Sequence, residues 1–166
     1  MIRLAGILPL LLLAGCYTSD RELVSATEAV APYKKIVYQS VESDKPTTLV
    51  ARGSSYAAEP VEPGRQPFEF RFKPLGGSLY LAQLKGVEGK RTQYLFGVVR
   101  LDAGAKTAQS FAASASKADQ GPDLKPCTKT GADICLTRIE PYVIHALAGI
   151  ANGDKPFDSY KILTLE

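Results

Sequence analysis

The stretch Phe68-Glu69-Phe70-Arg71-Phe72-Lys73 alternates three aromatic rings with three charges. On a strand, side chains two apart share a face, so this segment presents one aromatic face and one charged face. A sheet that buries one side and wets the other is an antiparallel habit. Gly76 and Gly77 follow as a hairpin signal, and Ser78 to Leu84 reads as the returning strand. Gly86 to Gly89 turn the chain again into Thr92 to Leu101. That strand is apolar on both faces, with Tyr94, Phe96 and Val98 on one and Leu95, Val99 and Leu101 on the other. It is expected to be central, or covered by a helix on its second side.

Toward the N-terminus, Lys35 to Val41 and Thr47 to Arg52 are β-rich runs joined by the polar turn Glu42 to Pro46. Glu59 to Pro67 holds three prolines and a glycine and reads as an exposed loop. Ser19 and Glu22 have the spacing of a capping box. Leu23, Ala26 and Val30 follow at helical intervals as far as Pro32, so a short N-terminal helix is expected. Toward the C-terminus, an Ala- and Ser-rich stretch over 103–120 carries a strand at Lys106 to Ala112 and then a mobile loop. Thr137 with Glu140, or Pro141, opens a helix whose Ile139, Val143, Leu147 and Ile150 form an apolar stripe, and Asn152 and Gly153 end it. Tyr160 to Leu165 is the last strand. The class is α+β: a curved antiparallel sheet of about six to seven strands, open or barrel-like, with the C-terminal helix packed on it.

Residues 1–15 have a different character. One basic side chain, Arg3, precedes an apolar run from Leu4 to Leu12, and the small residues Ala14 and Gly15 close the segment. This is the layout of a secretory signal. The run is little more than half the roughly 20 residues a transmembrane helix needs, and Pro9 interrupts it. The motif Leu13-Ala14-Gly15-Cys16 resembles the lipobox of bacterial lipoproteins. The resemblance implies cleavage before Cys16, a diacylglycerol on its sulfur and a fatty acyl chain such as palmitate on its amine, and several chains make such an anchor stable. Tyr17, rather than Asp, follows the cysteine, which under the enterobacterial sorting rule implies the outer membrane, facing the periplasm. The chain then divides into a signal peptide (1–15), an anchor, tether and short helix (16–33), and a single α+β domain (34–166).

That compartment bears on the other cysteines. With Cys16 consumed by lipid, Cys127 and Cys135 remain as an even pair in oxidising surroundings, and a disulfide between them is expected. Two thiolates without a local histidine are too few ligands for structural zinc. Removing residues 1–15 takes away one of 20 basic side chains and none of the 17 acidic ones, so the mature chain is nearly neutral and carries no basic stripe for nucleic acid.

Little in the sequence points to catalysis. The only histidine, His145, lies off the apolar stripe of its helix, toward solvent or a cleft, and no acid falls within helical reach of it. No serine sits in a Gly-x-Ser-x-Gly elbow, and there is no phosphate loop, dinucleotide fingerprint or calcium loop. No catalytic residue, metal or cofactor is therefore assigned. Tyr56, Tyr80 and Tyr94, on or beside strands, read as core rings or as contacts for an apolar or sugar ligand. The expected role is a lipid-anchored envelope module that binds a partner protein, a glycan or an apolar ligand without converting it. Two other roles stand beside it. The plan of lipobox, compact β domain and one disulfide is similar to that of lipid-anchored lysozyme inhibitors, with Gly53, Ser54, Ser55 and Tyr56 faintly echoing their inhibitory loop. The other is a hydrolase using His145 with a distant acid.

Overall fold

The computed structural model describes residues 17–59, 68–88, 91–112, 124–126 and 134–166. The signal segment with Cys16, the proline-rich loop over 60–67, Gly89, the Ala- and Ser-rich stretch from 113 and Cys127 lie outside them. The strands are β1 (Tyr17–Ser19), β2 (Lys35–Ser40), β3 (Thr47–Arg52), β4 (Ser55–Glu59), β5 (Glu69–Gly76), β6 (Leu79–Glu88), β7 (Arg91–Asp102) and β8 (Thr107–Phe111). After them come β9 (Leu124–Pro126), β10 (Ile134–Leu136), the helix α1 (Glu140–Ala151) and β11 (Asp158–Leu165).

The hairpin read from Phe68 onward is there. Gly76 and Gly77 both take positive φ, 114° and 57°, which residues with a Cβ rarely adopt, and β5 returns as β6 with Phe72 opposite Ala82 and Phe70 opposite Leu84. The next turn is tighter than expected. Gly86 stays inside β6 opposite Gln93, and the chain reverses only between Glu88 and Arg91.

From β2 to β8 each strand pairs antiparallel with the next, and β7 pairs along its length with β6. The last strand, β11, fits between β8 and β2 and closes an eight-stranded barrel. The other three strands hang from β7. Beyond its pairing with β8, the same edge takes β1 at Tyr94 and Leu95, and β10 and β9 follow outward. The sheet thus has eleven strands among the described residues, more than the six or seven expected.

Alternation along the strands splits the apolar residues into two cores. One is inside the barrel, where Ile36, Tyr38, Tyr56, Phe70, Phe72 and Leu84 meet Tyr160 and Ile162. The other lies outside β6, β7 and β8, where Leu81, Phe96, Val98 and Phe111 are covered by Tyr142 and Ala146 of α1. This explains the two apolar faces of β7: one looks inward and the other lies beneath the helix. The Tyr142 hydroxyl donates to the Phe96 carbonyl at 3.2 Å. This contact turns the helix so that Ile139, Tyr142 and Ala146 are buried, while Val143 and Leu147 of the expected stripe sit at its margin.

The expected N-terminal helix is absent. Ser19 and Glu22 do not form a capping box: the Ser19 hydroxyl accepts the Arg21 N–H at 3.2 Å, and Glu22 pairs with Arg71 at 2.5 Å. The second Ser-x-x-Glu, Ser25 to Glu28, does close one turn, with Glu28 accepting the Ser25 N–H at 3.1 Å. The turn ends because Val30 bridges to Phe72 of β5. The segment over 20–30 is held against the outside of β5 and β6. Buried Gln83 accepts the N–H groups of Leu23 (2.9 Å) and Val24 (2.8 Å) and donates to the Val24 carbonyl at 3.2 Å. Arg71 donates to the same carbonyl at 3.0 Å, and Lys73 pairs with Glu28 at 2.6 Å. The charged face of β5 is therefore a docking strip for the chain's own N-terminal segment.

One pair on that strip sets a pH dependence. The Lys73 hydrogen bond, followed by those from Ser25, holds the Glu28 carboxyl down from the usual 4.5 to about 2. A depressed carboxylate stabilises the fold fully above its unfolded value and loses that contribution as pH falls through the folded one. Amide exchange at Val24 to Ala29, corrected for intrinsic rates, should accelerate between pH 4.5 and 2 and stay flat above 5. In Glu28→Gln the step should vanish. A step that survives in that variant would assign it to another group.

Candidate ligand cavity

The end of the barrel that carries the β5–β6 turn also receives the chain on its way into β2. Over 30–34 this segment runs along the rim as a strap. The Val30 N–H donates to the Phe72 carbonyl at 2.8 Å. The Tyr56 hydroxyl, from inside the barrel, takes the Tyr33 N–H at 3.1 Å and donates to the Tyr33 carbonyl at 2.7 Å. Lys34 is tied to Ala51 at 2.9 Å and to the Glu166 backbone. Ala31 and Tyr33 pack against the interior core.

Beneath Pro32 of this strap lies a cavity of about 50 Å³ walled by Ile36, Phe72, Tyr80, Val99, Leu101 and Ala108. Tyr38 and Tyr160 line its inner part, their rings edge-on at 5.5 Å. Burial pushes both phenols above their ordinary range, and nearby Asp158 pushes in the same direction, partly offset for Tyr38 by a hydrogen bond with Thr47. Neither phenol ionises near neutral pH, so both act as apolar walls and not as bases.

The residues singled out from sequence are scattered. Tyr80 lines the cavity. Tyr56 is inside the barrel but fully buried, with its hydroxyl committed to Tyr33. Tyr94 lies on the opposite side of the wall, in the core under α1. Gly53 and Ser54 make the β3–β4 turn, and Tyr56 offers no surface to an inhibited enzyme. His145 is half-buried on α1, outside the barrel. Cys135 is disulfide-bonded on β10, with its partner outside the described residues. No group of three or more His, Cys, Asp or Glu among the described residues is placed to hold a metal. Two lining residues carry no functional signal of their own in the sequence: Pro32, which reads only as a helix stop, and Ala108, which falls in a stretch of low complexity. The signal for Ala108 was its parity with Ser110 on an alternating strand.

A second hollow of about 250 Å³ lies by Arg52, Ser55, Glu69, Lys85 and Val87. Its charges are paired, Arg52 with Glu59 at 3.4 Å and Lys85 with Glu69 at 3.9 Å, so it exerts little field on a charged ligand. Comparison with protein-family models, with curated proteins and with solved structures finds no match to this chain.

Proposed function

We propose that this is a lipid-anchored cell-envelope protein, facing the periplasm from the outer membrane, that binds a ligand without converting it and takes the end of an aliphatic chain into its barrel. The observation that carries the reading is the cavity of about 50 Å³ under Pro32, lined by apolar side chains and aromatic rings. Eight-stranded barrels are just wide enough to be filled by side chains or to hold one small ligand. An apolar cavity of about 150 Å³ accepts benzene, so one of a third that size suits a few methylenes rather than a ring. The address rests on the Cys16 motif. The pairing of Cys127 with Cys135 is supported by the β9–β10 register, in which their chain neighbours Pro126 and Ile134 lie opposite one another.

Decanoate titrated into the mature domain should shift the methyl resonances of Ile36, Val99 and Leu101 and leave Ile144 unmoved. Ala108→Phe, which fills the cavity from β8, should weaken binding by about tenfold or more, equivalent to about 1.4 kcal/mol. If saturating decanoate moves none of the interior methyls, the aliphatic-ligand reading fails and a partner protein takes its place.

A further inference from the structure

A helix on the surface of a globular domain normally turns a charged or polar face to water. Beyond its first turn, the helix α1 does not. Its one charged side chain is Glu140, in the first turn, and residues 141–151 contain no Asp, Glu, Lys or Arg. Glu140, paired with Arg138 at 3.5 Å, stands at the start of the side facing away from the barrel; beyond it that side carries Ile144, 65% exposed, with Ala148 and Ala151, and Leu147 at its edge. With 12 residues the helix is far short of a membrane span, and no helix among the described residues is long and apolar enough to cross one. A short helix with an apolar outer face is suited to lying in the plane of a lipid surface.

The position of Tyr17, next in sequence to Cys16, points to what covers that face. Tyr17, the first of them, is 4% exposed, and Thr18 and Ser19 are 3% and 2% exposed. They form β1, clamped between β7 and β10. The Tyr17 ring lies 4.8 Å from that of Tyr142, beneath α1. Cys16 is the chain neighbour of Tyr17, one Cα step of about 3.8 Å from a buried strand residue.

We infer that the outward face of α1, centred on Ile144, rests on the surface of the phospholipid bilayer that receives the Cys16 lipid. The inference depends on the lipid-anchor reading and is independent of the ligand cavity. Acyl chains attached at Cys16 supply the affinity, and the apolar helix face beside the attachment point sets the tilt. The barrel is held on its side, with β3, four strands round from β7, facing away from the membrane.

The test uses the full chain, processed in cells and reconstituted in vesicles of phosphatidylethanolamine and phosphatidylglycerol. A nitroxide is placed at Ile144→Cys, or at Lys45→Cys in the exposed β2–β3 turn, and mass spectrometry of the same samples reads the N-terminus. On acylated protein, collisions with a water-soluble nickel chelate should be about fivefold rarer at 144 than at 45, while collisions with oxygen should be more frequent. Equal nickel collisions at the two sites in acylated protein would overturn the inference. So would a loss of both nickel and oxygen collisions at 144, which marks coverage by protein. An unmodified Cys16 would instead remove the anchor reading, and mass spectrometry shows that whatever the labels report.

Discussion

Phe72→Ala should lower stability by about 3–5 kcal/mol and create a barrel that binds benzene, which the parent protein does not. Phe72 belongs to the interior core, beneath the strap. Its ring meets Tyr56 edge-on at 5.5 Å and Tyr80 at 6.3 Å, and it forms part of the cavity wall. Truncation removes those contacts and adds on the order of 100 Å³ to the existing hollow, reaching the size at which an apolar cavity accepts benzene. The strands around it are tied into a closed ring and have little freedom to collapse, so the loss belongs at the upper end of the range. Urea unfolding gives the stability change, and a rise in Tm with benzene in the variant alone shows the cavity. A variant as stable as the parent would mean that the barrel does not pack around this ring.

Gln83→Leu should cost about 2–4 kcal/mol despite replacing a polar side chain with an apolar one on a buried surface. The carboxamide satisfies two N–H groups and one carbonyl of Leu23 and Val24. A buried backbone group left without a partner costs about 1–3 kcal/mol, and the variant orphans the two N–H groups, since Arg71 still donates to the Val24 carbonyl. The segment over 20–30 can limit that loss by lifting away from β5 and β6. The same variant should therefore become sensitive to trypsin at Arg21 while the barrel stays resistant. Cleavage no faster than in the parent, together with unchanged unfolding, would show that Gln83 does not pin this segment.

The parts of the fold that were legible in the sequence are those whose signal is local. Three alternating phenylalanines and a Gly-Gly pair place β5, its turn and β6. The two apolar faces of β7 announce a covering layer on its outer side, and α1 supplies it. Closure of the sheet was not legible, because the pairing of β11 with β2 and β8 depends on residues more than forty positions away. The strand β4 has no clear local signal, since Ser55-Tyr56-Ala57-Ala58-Glu59 has small residues where the alternation should show. At the N-terminus local helical spacing lost to distant partners: Arg71 took Glu22, Gln83 took the backbone at 23 and 24, and Phe72 took Val30. The same partners give the charges of β5 a role that strand periodicity alone assigns to water. In α1, Val143 and Leu147 outweigh Tyr142 and Ala146 on a hydropathy count, yet a hydroxyl that reaches the Phe96 carbonyl and an alanine that permits close approach fix the buried side. Of the cavity, Tyr80 was legible as an aromatic on a strand. Pro32 was not, because its role comes from the path of the strap.

The position of β11 has a consequence for the order in which the chain can fold. Strands β2 to β8 are made in sequence and can pair as they emerge, but until residues 158–165 arrive they form an open sheet with β2 and β8 as bare edges. Such edges recruit strands from other molecules. The closing step joins the most distant parts of the domain and is slow for that reason, since non-local pairing carries a large loop-closure cost. Any factor that holds the nascent sheet apart from its neighbours until the last strand docks should raise the yield of folded protein more than one that accelerates the early hairpins.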